Sequence, residues 1–388
     1  MTQHRSTITR PASVRAATPW AFPLAVVAVS AALATSKADA QSAAPLKPVT
    51  VAKGLQDPWG LAFLPDGSML VTEKAGRLRR VSANGQVGPP IDGVPAVVAL
   101  GQGGLLDVAL DPKFADNQLV YLSYSEPGEA AGTNSTAVAR SRLNGNRLDA
   151  VQVVFRQQPR VASNNHFGSR LVFGRDGKLF VTLGDRFSRR DDAQVLGNTL
   201  GKVVRIEPDG RIPADNPFVG RAGIDPAIWS FGHRNMQGAV LHPQTGQLWT
   251  QEHGPQGGDE VNVDEAGKNY GWPVITYGAN YGSGSPIGEG TAKAGMEQPV
   301  VYWVPSIATS GMAFLTSDRY PEWKGSLFVG ALRGQQLARL ELDGRRVVKQ
   351  ERLLQDFGQR IRTVVQGPDG WLYLLTDAGD GQLIRLER

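Results

Sequence analysis

Six times along the chain, two short apolar runs face each other across a turn, and this repetition limits the fold more than any other feature. The runs are Trp59–Phe63 with Met69–Val71, Leu105–Leu110 with Leu119–Tyr124, and Leu171–Phe173 with Leu179–Leu183. They continue as Gln237–Leu241 with Gln247–Gln251, Gly311–Leu315 with Ser326–Ala331, and Ile361–Val365 with Trp371–Thr376. Turns such as Pro65-Asp66-Gly67, Arg175-Asp176-Gly177 and Pro368-Asp369-Gly370 read each pair as a β-hairpin. Hairpins about 45–75 residues apart form an internal repeat with room for four strands per unit. The spacing predicts an all-β fold, a six-bladed β-propeller spanning residues 41–388. Val49–Val51 is placed to pair beside Gln382–Leu386 and close the ring. Two β-sandwiches are the alternative, but no linker-like stretch divides the chain, and Asn269–Glu289 reads as a long functional loop.

The first forty residues stand apart from this repeat. Arg5, Arg10 and Arg15 precede the apolar stretch Ala21–Ala34, and Ala38-Asp39-Ala40 supplies small residues for cleavage. That order predicts a signal peptide over residues 1–40, a mature chain starting at Gln41, a periplasmic or secreted location and no membrane span after cleavage. The leader carries +3 of the formal charge of +5, so the remainder is near neutral and has no nucleic-acid signature. Cysteine is absent, which excludes disulfides, thiolate metal sites and cysteine nucleophiles.

Hairpin register then sorts the polar residues. His166 and Asp185 lie nine or ten residues on either side of the Arg175–Asp176 turn, so they return to the same end of one hairpin. A carboxylate beside a histidine orients the ring and stabilises its protonated form, as a general base requires. The same geometry sends Arg234 and Asn235, Gly254 and Pro255, Gln102, Arg333, and Arg360 and Arg362 to one rim of the channel. Clustered arginines repel one another unless an anion neutralises them, so the rim suits a polycarboxylate or phosphate. The alternative for each arginine is an ordinary ion pair between blades.

The segment Gln251–Glu260, with its Gly254-Pro255 turn, is rich in oxygen ligands for a hard cation such as calcium. A zinc centre would have only His233 and His253, without a His-x-x-x-His pair. No Gly-x-Gly-x-x-Gly unit is present, which argues against a nicotinamide enzyme.

HFGSRLVFGRDGKLFVTLGD, SFGHRNMQG, QEHGPQGGDEVN followed by NYGWP, and RIRTVVQGPDGWLYLLTD together resemble the soluble quinoprotein glucose dehydrogenase and aldose sugar dehydrogenase family over nearly the whole mature chain. The resemblance implies a six-bladed propeller that binds pyrroloquinoline quinone (PQQ) with calcium (Ca2+) and oxidises aldoses at C1 to lactones, passing electrons to an acceptor not specified by the sequence. It implies that His166 takes the C1 hydroxyl proton with Asp185 as its partner, and that Arg234 lies near the reactive quinone carbonyl. Asn235 and Gln102 would add hydrogen bonds, Gly254 and Pro255 would give carbonyls to calcium, and Arg360 and Arg362 would meet the cofactor carboxylates. Trp303 sits where the family places an aromatic against the sugar, with Gln102 and Asp185 also facing the substrate. Arg333 stands where the glucose dehydrogenase pattern has lysine, and the loop before Trp303 is short, which implies a more open pocket and a broader aldose range.

Two other readings remain open at this point. A calcium-dependent lactonase or esterase on a similar propeller would need a carboxylate- and amide-lined channel and no ring of arginines. A non-enzymatic propeller module would keep the blade residues and could lose His166 or the Gly254-Pro255 turn.

Overall fold

The computed structural model describes residues 46–388, and the expected leader lies outside them. Alternating apolar residues build six antiparallel sheets of four strands. Blade 1 is Pro58–Phe63, Met69–Glu73, Arg77–Val81 and Val87–Pro90; blade 2 is Leu105–Leu110, Leu119–Pro127, Asn134–Asn144 and Arg147–Arg156. Blade 3 is Gly168–Phe173, Leu179–Leu183, Lys202–Ile206 and Ile228–Phe231; blade 4 is Met236–Leu241, Leu248–Glu252, Asp259–Asp264 and Val301–Trp303. Blade 5 is Thr309–Phe314, Leu327–Ala331, Leu337–Asp343 and Arg346–Leu353. Blade 6 is Ile361–Gln366, Leu372–Thr376 and Gly381–Glu387, with Lys47–Leu55 as its outer strand. Val49 pairs with Arg385 and Thr50 with Ile384, so the ring is closed by strands from the two ends of the described chain.

Each sheet buries both faces, because period-two alternation sends successive side chains to opposite neighbours. In blade 2, Val120, Leu122 and Tyr124 pack against Leu70 and Leu78 of blade 1, while Tyr121 and Val138 pack against Leu171 and Val181 of blade 3. Similar apolar layers lie between the other blades. Full burial of one such side chain contributes about 1.5–3 kcal/mol.

Near the channel, hydroxyls tie blade to blade. Thr72 donates to the Leu106 carbonyl, Ser123 to Ser169 at 2.6 Å, Ser310 to Ile361 at 2.6 Å and Thr363 to Trp59 at 2.5 Å. Arg170 is buried across the channel, donating to Asp107 at 2.9 Å and to the Gln237 carbonyl, with its guanidinium 4.2 Å from the Trp59 ring centroid. This plug separates the channel mouth that carries the polar rim from an apolar recess walled by the inner strands.

In all six blades the register of the innermost strand shifts near its start, as between Gly168 and Leu171 or Met236 and Gly238. These bulges re-aim the residues that face the rim.

Candidate active site

The hairpin of blade 3 delivers the central pair. Gly168 pairs with Leu183, so the residues just outside them meet, and His166 Nδ1 lies 2.6 Å from Asp185 Oδ1. Both are buried. Four non-glycine residues at the two ends of this hairpin have left-handed backbones: His166, Ser169, Arg186 and Phe187. Such residues cost about 1–3 kcal/mol each and persist where surrounding bonds fix them. The His166 amide donates to Gln102 Oε1 at 2.8 Å, and the Phe187 amide donates to Asp185 Oδ1 at 2.7 Å. A Cβ on Gly184 would lie 2.0 Å from the His166 carbonyl oxygen, so only glycine permits this approach.

Asp185 also accepts from Trp272 Nε1 at 2.8 Å, through Oδ2. With Nδ1 donating to Asp185, the imidazole keeps its lone pair on Nε2. Burial, then the Arg234 charge, holds the His166 pKa below the ordinary histidine value against the opposing pull of Asp185. Burial pushes the Asp185 pKa up, but His166 and Arg234 outweigh it and keep the carboxyl below its usual range. The ring is therefore neutral at neutral pH.

Arg234 and Asn235 enter from the start of blade 4. Arg234 Nη1 donates to the carbonyls of His253 at 3.0 Å and Gly254 at 2.9 Å, and the guanidinium carbon lies 5.3 Å from the Trp272 ring centroid. The register Met236–Glu252 sets Arg234 opposite Gly254, one residue earlier than Pro255, because the bulge takes up a residue. Behind it, His233 bonds Glu252 at 2.9 Å and lies 3.2 Å from Asp264. Burial opposes protonation of His233, but Asp264 and Glu252 raise its pKa to about 9, so the ring is a buried cation fixing the start of the blade. These bonds give His233 a structural use in place of zinc ligation.

Asn235 Oδ1 accepts from the Gly168 amide at 3.2 Å and from Gln237 Nε2 at 3.1 Å, whereas its buried Nδ2 has no protein partner. The Gly254 amide donates to Asp259 Oδ1 at 3.0 Å. A Cβ on Gly254 would come 2.0 Å from the Gly257 carbonyl oxygen, so this turn is packed too tightly for a side chain.

Two cavities flank these residues. One of about 270 Å³ is lined by His166, Asp185, Phe187, Arg234, Pro255, Trp272 and Tyr281. The other, about 290 Å³, is lined by Trp59, Gln102, Gly168, Gln237, His253, Arg360, Arg362 and Asp377. The Gln102–His166 hydrogen bond joins their walls.

Arg362 is buried, donating to Gln237 Oε1 at 2.9 Å and to Asp377 at 2.8 Å, and the half-exposed Arg360 shares the same carboxylate at 2.7 Å. Burial raises the Asp377 pKa, but Arg362 and Arg360 outweigh it and pull it down to about 2. One carboxylate thus offsets two guanidiniums and leaves a net positive wall.

Asn235 and Gly254 bond Gly168 and Arg234 at the rim without lining either cavity, and two further expected residues, Trp303 and Arg333, also line neither. Trp303 is a core residue: it ends the outer strand of blade 4, paired with Asp259, and packs in the apolar layer with Trp249, Met312 and Phe314. Arg333 is exposed beside the cavity-lining Leu332, and its side chain makes no hydrogen bond or ion pair among the described residues. Conversely, Trp272, Tyr281, Phe187 and Asp377 line the site without having been singled out from sequence. The signals were the NYGWP run inside the long loop, the residues just past Asp185, and the carboxylate ending the last hairpin.

Residues 55–385, all but the edges of the propeller, match the family described as glucose/sorbosone dehydrogenase. The chain belongs to this family. Among the relatives of this dehydrogenase is the aldose sugar dehydrogenase YliI of Escherichia coli K12, 48% identical over 86% of this chain and 90% of the relative. A crystal structure of a glucose dehydrogenase, 50% identical, superposes with a TM-score of 0.85 over 87% of this chain and 99% of that one. The PQQ-bound aldose sugar dehydrogenase of Streptomyces coelicolor is 31% identical with a TM-score of 0.73, covering 88% of this chain and 97% of that one. As a glucose/sorbosone dehydrogenase, the chain is a sugar-oxidising enzyme.

Proposed function

We propose that this dehydrogenase oxidises aldose sugars at C1 to lactones, with pyrroloquinoline quinone and calcium as cofactors and His166 as the general base. The observation that carries the reading is the buried His166–Asp185 pair, 2.6 Å apart, on a cavity that also holds Arg234 and Pro255. The residues present suit the quinone. Arg362, Arg360 and the unpartnered Asn235 Nδ2 and Arg234 Nε offer cations and donors to a polycarboxylate quinone. Among the described residues no group of three or more His, Asp or Glu is placed to hold a metal ion. A cation would therefore rely on carbonyls, and Gly254 already offers its own to a guanidinium.

When bound, the quinone supplies a two-electron acceptor and calcium the charge that polarises it. His166 Nε2 takes the C1 hydroxyl proton, and Asp185 fixes the tautomer and stabilises the imidazolium that results. Arg234 provides positive charge beside the reacting centre, and Gln102 holds the His166 backbone. Removing the leader after Ala40 would place the enzyme in the periplasm or outside the cell, where electrons pass to a separate acceptor.

Apoprotein reconstituted with quinone and calcium should oxidise aldoses, and omission of either should abolish turnover. Full activity with quinone after exhaustive chelation would contradict the calcium assignment. Amino-terminal sequencing of the protein recovered from the cell envelope should begin at Gln41; a full-length chain there would contradict export by cleavage.

A further inference from the structure

Three donors converge on the Asp185 carboxylate, and one comes from far along the chain. Oδ1 receives His166 Nδ1 and the Phe187 amide, while Oδ2 receives the indole of Trp272, 87 residues away. Trp272 is itself fixed from both sides. Its amide donates to the Gly232 carbonyl at 2.8 Å, and its own carbonyl accepts Gln194 Nε2 at 2.7 Å. The ring packs with Ala193 and Ile287 and carries Arg234 on its face. One indole therefore touches both the partner of the base and the cation beside it.

We infer that Trp272 is a positioning residue that sets the orientation and basicity of His166 through Asp185. The inference deepens the reading of His166 as the base, but its primary readout is made on the resting protein. An indole N–H on Oδ2 draws carboxylate charge away from Oδ1, so Asp185 stabilises the imidazolium less than a free carboxylate would. The charged and titratable groups around the ring are Asp185 and Arg186 on its own hairpin, and Arg234 and His253 from blade 4. Arg190 and Asp191 join from the loop that follows Phe187. Trp272→Phe keeps an aromatic face for Arg234 and leaves all these charges in place. The N–H on Oδ2 is lost, so Asp185 becomes the stronger acceptor and the His166 midpoint rises.

The test is an NMR titration of ring-labelled histidine in the full resting chain. In Trp272→Phe the His166 midpoint should move up by about one pH unit, the change expected from one charge-assisted hydrogen bond. In an Asp185→Asn background the same substitution should leave the midpoint unchanged. No shift in the single variant, or an equal shift in both backgrounds, overturns the inference. A measurement without mutation covers the case of a variant that does not fold. In the unsubstituted protein the Trp272 indole N–H resonance should titrate with the His166 midpoint, and an indole insensitive to that midpoint overturns it equally. With cofactors bound, the rising limb of the rate profile should move to higher pH in Trp272→Phe while its plateau persists. A titration shift in a protein inert toward aldoses would refute the sugar-oxidation reading and still support the Trp272–Asp185 coupling.

Discussion

Arg362 and Arg360 share Asp377, yet they are unequal groups. Arg362 is buried and also bonds Gln237 across the channel, whereas Arg360 is half-exposed, where water competes for its donors. Arg362→Ala should weaken quinone binding by about 1.5–3 kcal/mol, the range for a hydrogen bond to a charged group. Arg360→Ala should lose distinctly less. Calorimetric titration of the apoprotein with quinone reads the difference, and equal losses would show that burial does not decide their contributions. The arginines were visible in the sequence because they flank a hairpin. Asp377 was not weighed, since a carboxylate at a turn has no meaning until a partner's position is known. Trp272 was missed for a similar reason: its contact with Asp185 crosses from the long loop to another blade, and no local pattern encodes that.

At the scale of elements, hairpin register carried most of what could be read. The six paired runs became the inner two strands of six blades, and the predicted closing strand pairs with the last strand. The bulge near the start of each inner strand was not legible, because no turn sequence marks it. It moves Arg234 opposite Gly254. Trp303 shows the limit of reading a short strand in isolation. Pairing with Asp259–Val261 fixes which way the strand Val301–Trp303 faces, leaving Tyr302 outside, stacked on Tyr277, and Trp303 in the core. One residue of slip would exchange them. Trp303→Ala should therefore lower unfolding free energy by about 3–5 kcal/mol, the range for truncating a large buried aromatic. It should leave KM for aldoses unchanged in the fraction that remains folded. Chemical denaturation together with steady-state kinetics checks this, and a raised KM without loss of stability would return Trp303 to the substrate site.

Across the whole molecule, ring closure and the channel plug put the chemistry on one face. Arg170 and Asp107 fill the middle of the channel, so polar residues on the loops entering the inner strands surround a mouth rather than an open pore. The near-neutral charge of residues 41–388 and the absence of cysteine fit a fold held by apolar layers between blades. The central claim joins this architecture to one proton transfer, and stopped-flow reduction of bound quinone by excess aldose measures it directly. In the unsubstituted enzyme the rate should rise with pH through a midpoint below that of an ordinary histidine, since burial and Arg234 hold His166 neutral. His166→Ala should bind quinone normally and reduce it about 10²–10⁴-fold more slowly, with that rising limb gone. Undiminished reduction in His166→Ala with quinone fully bound would contradict the account.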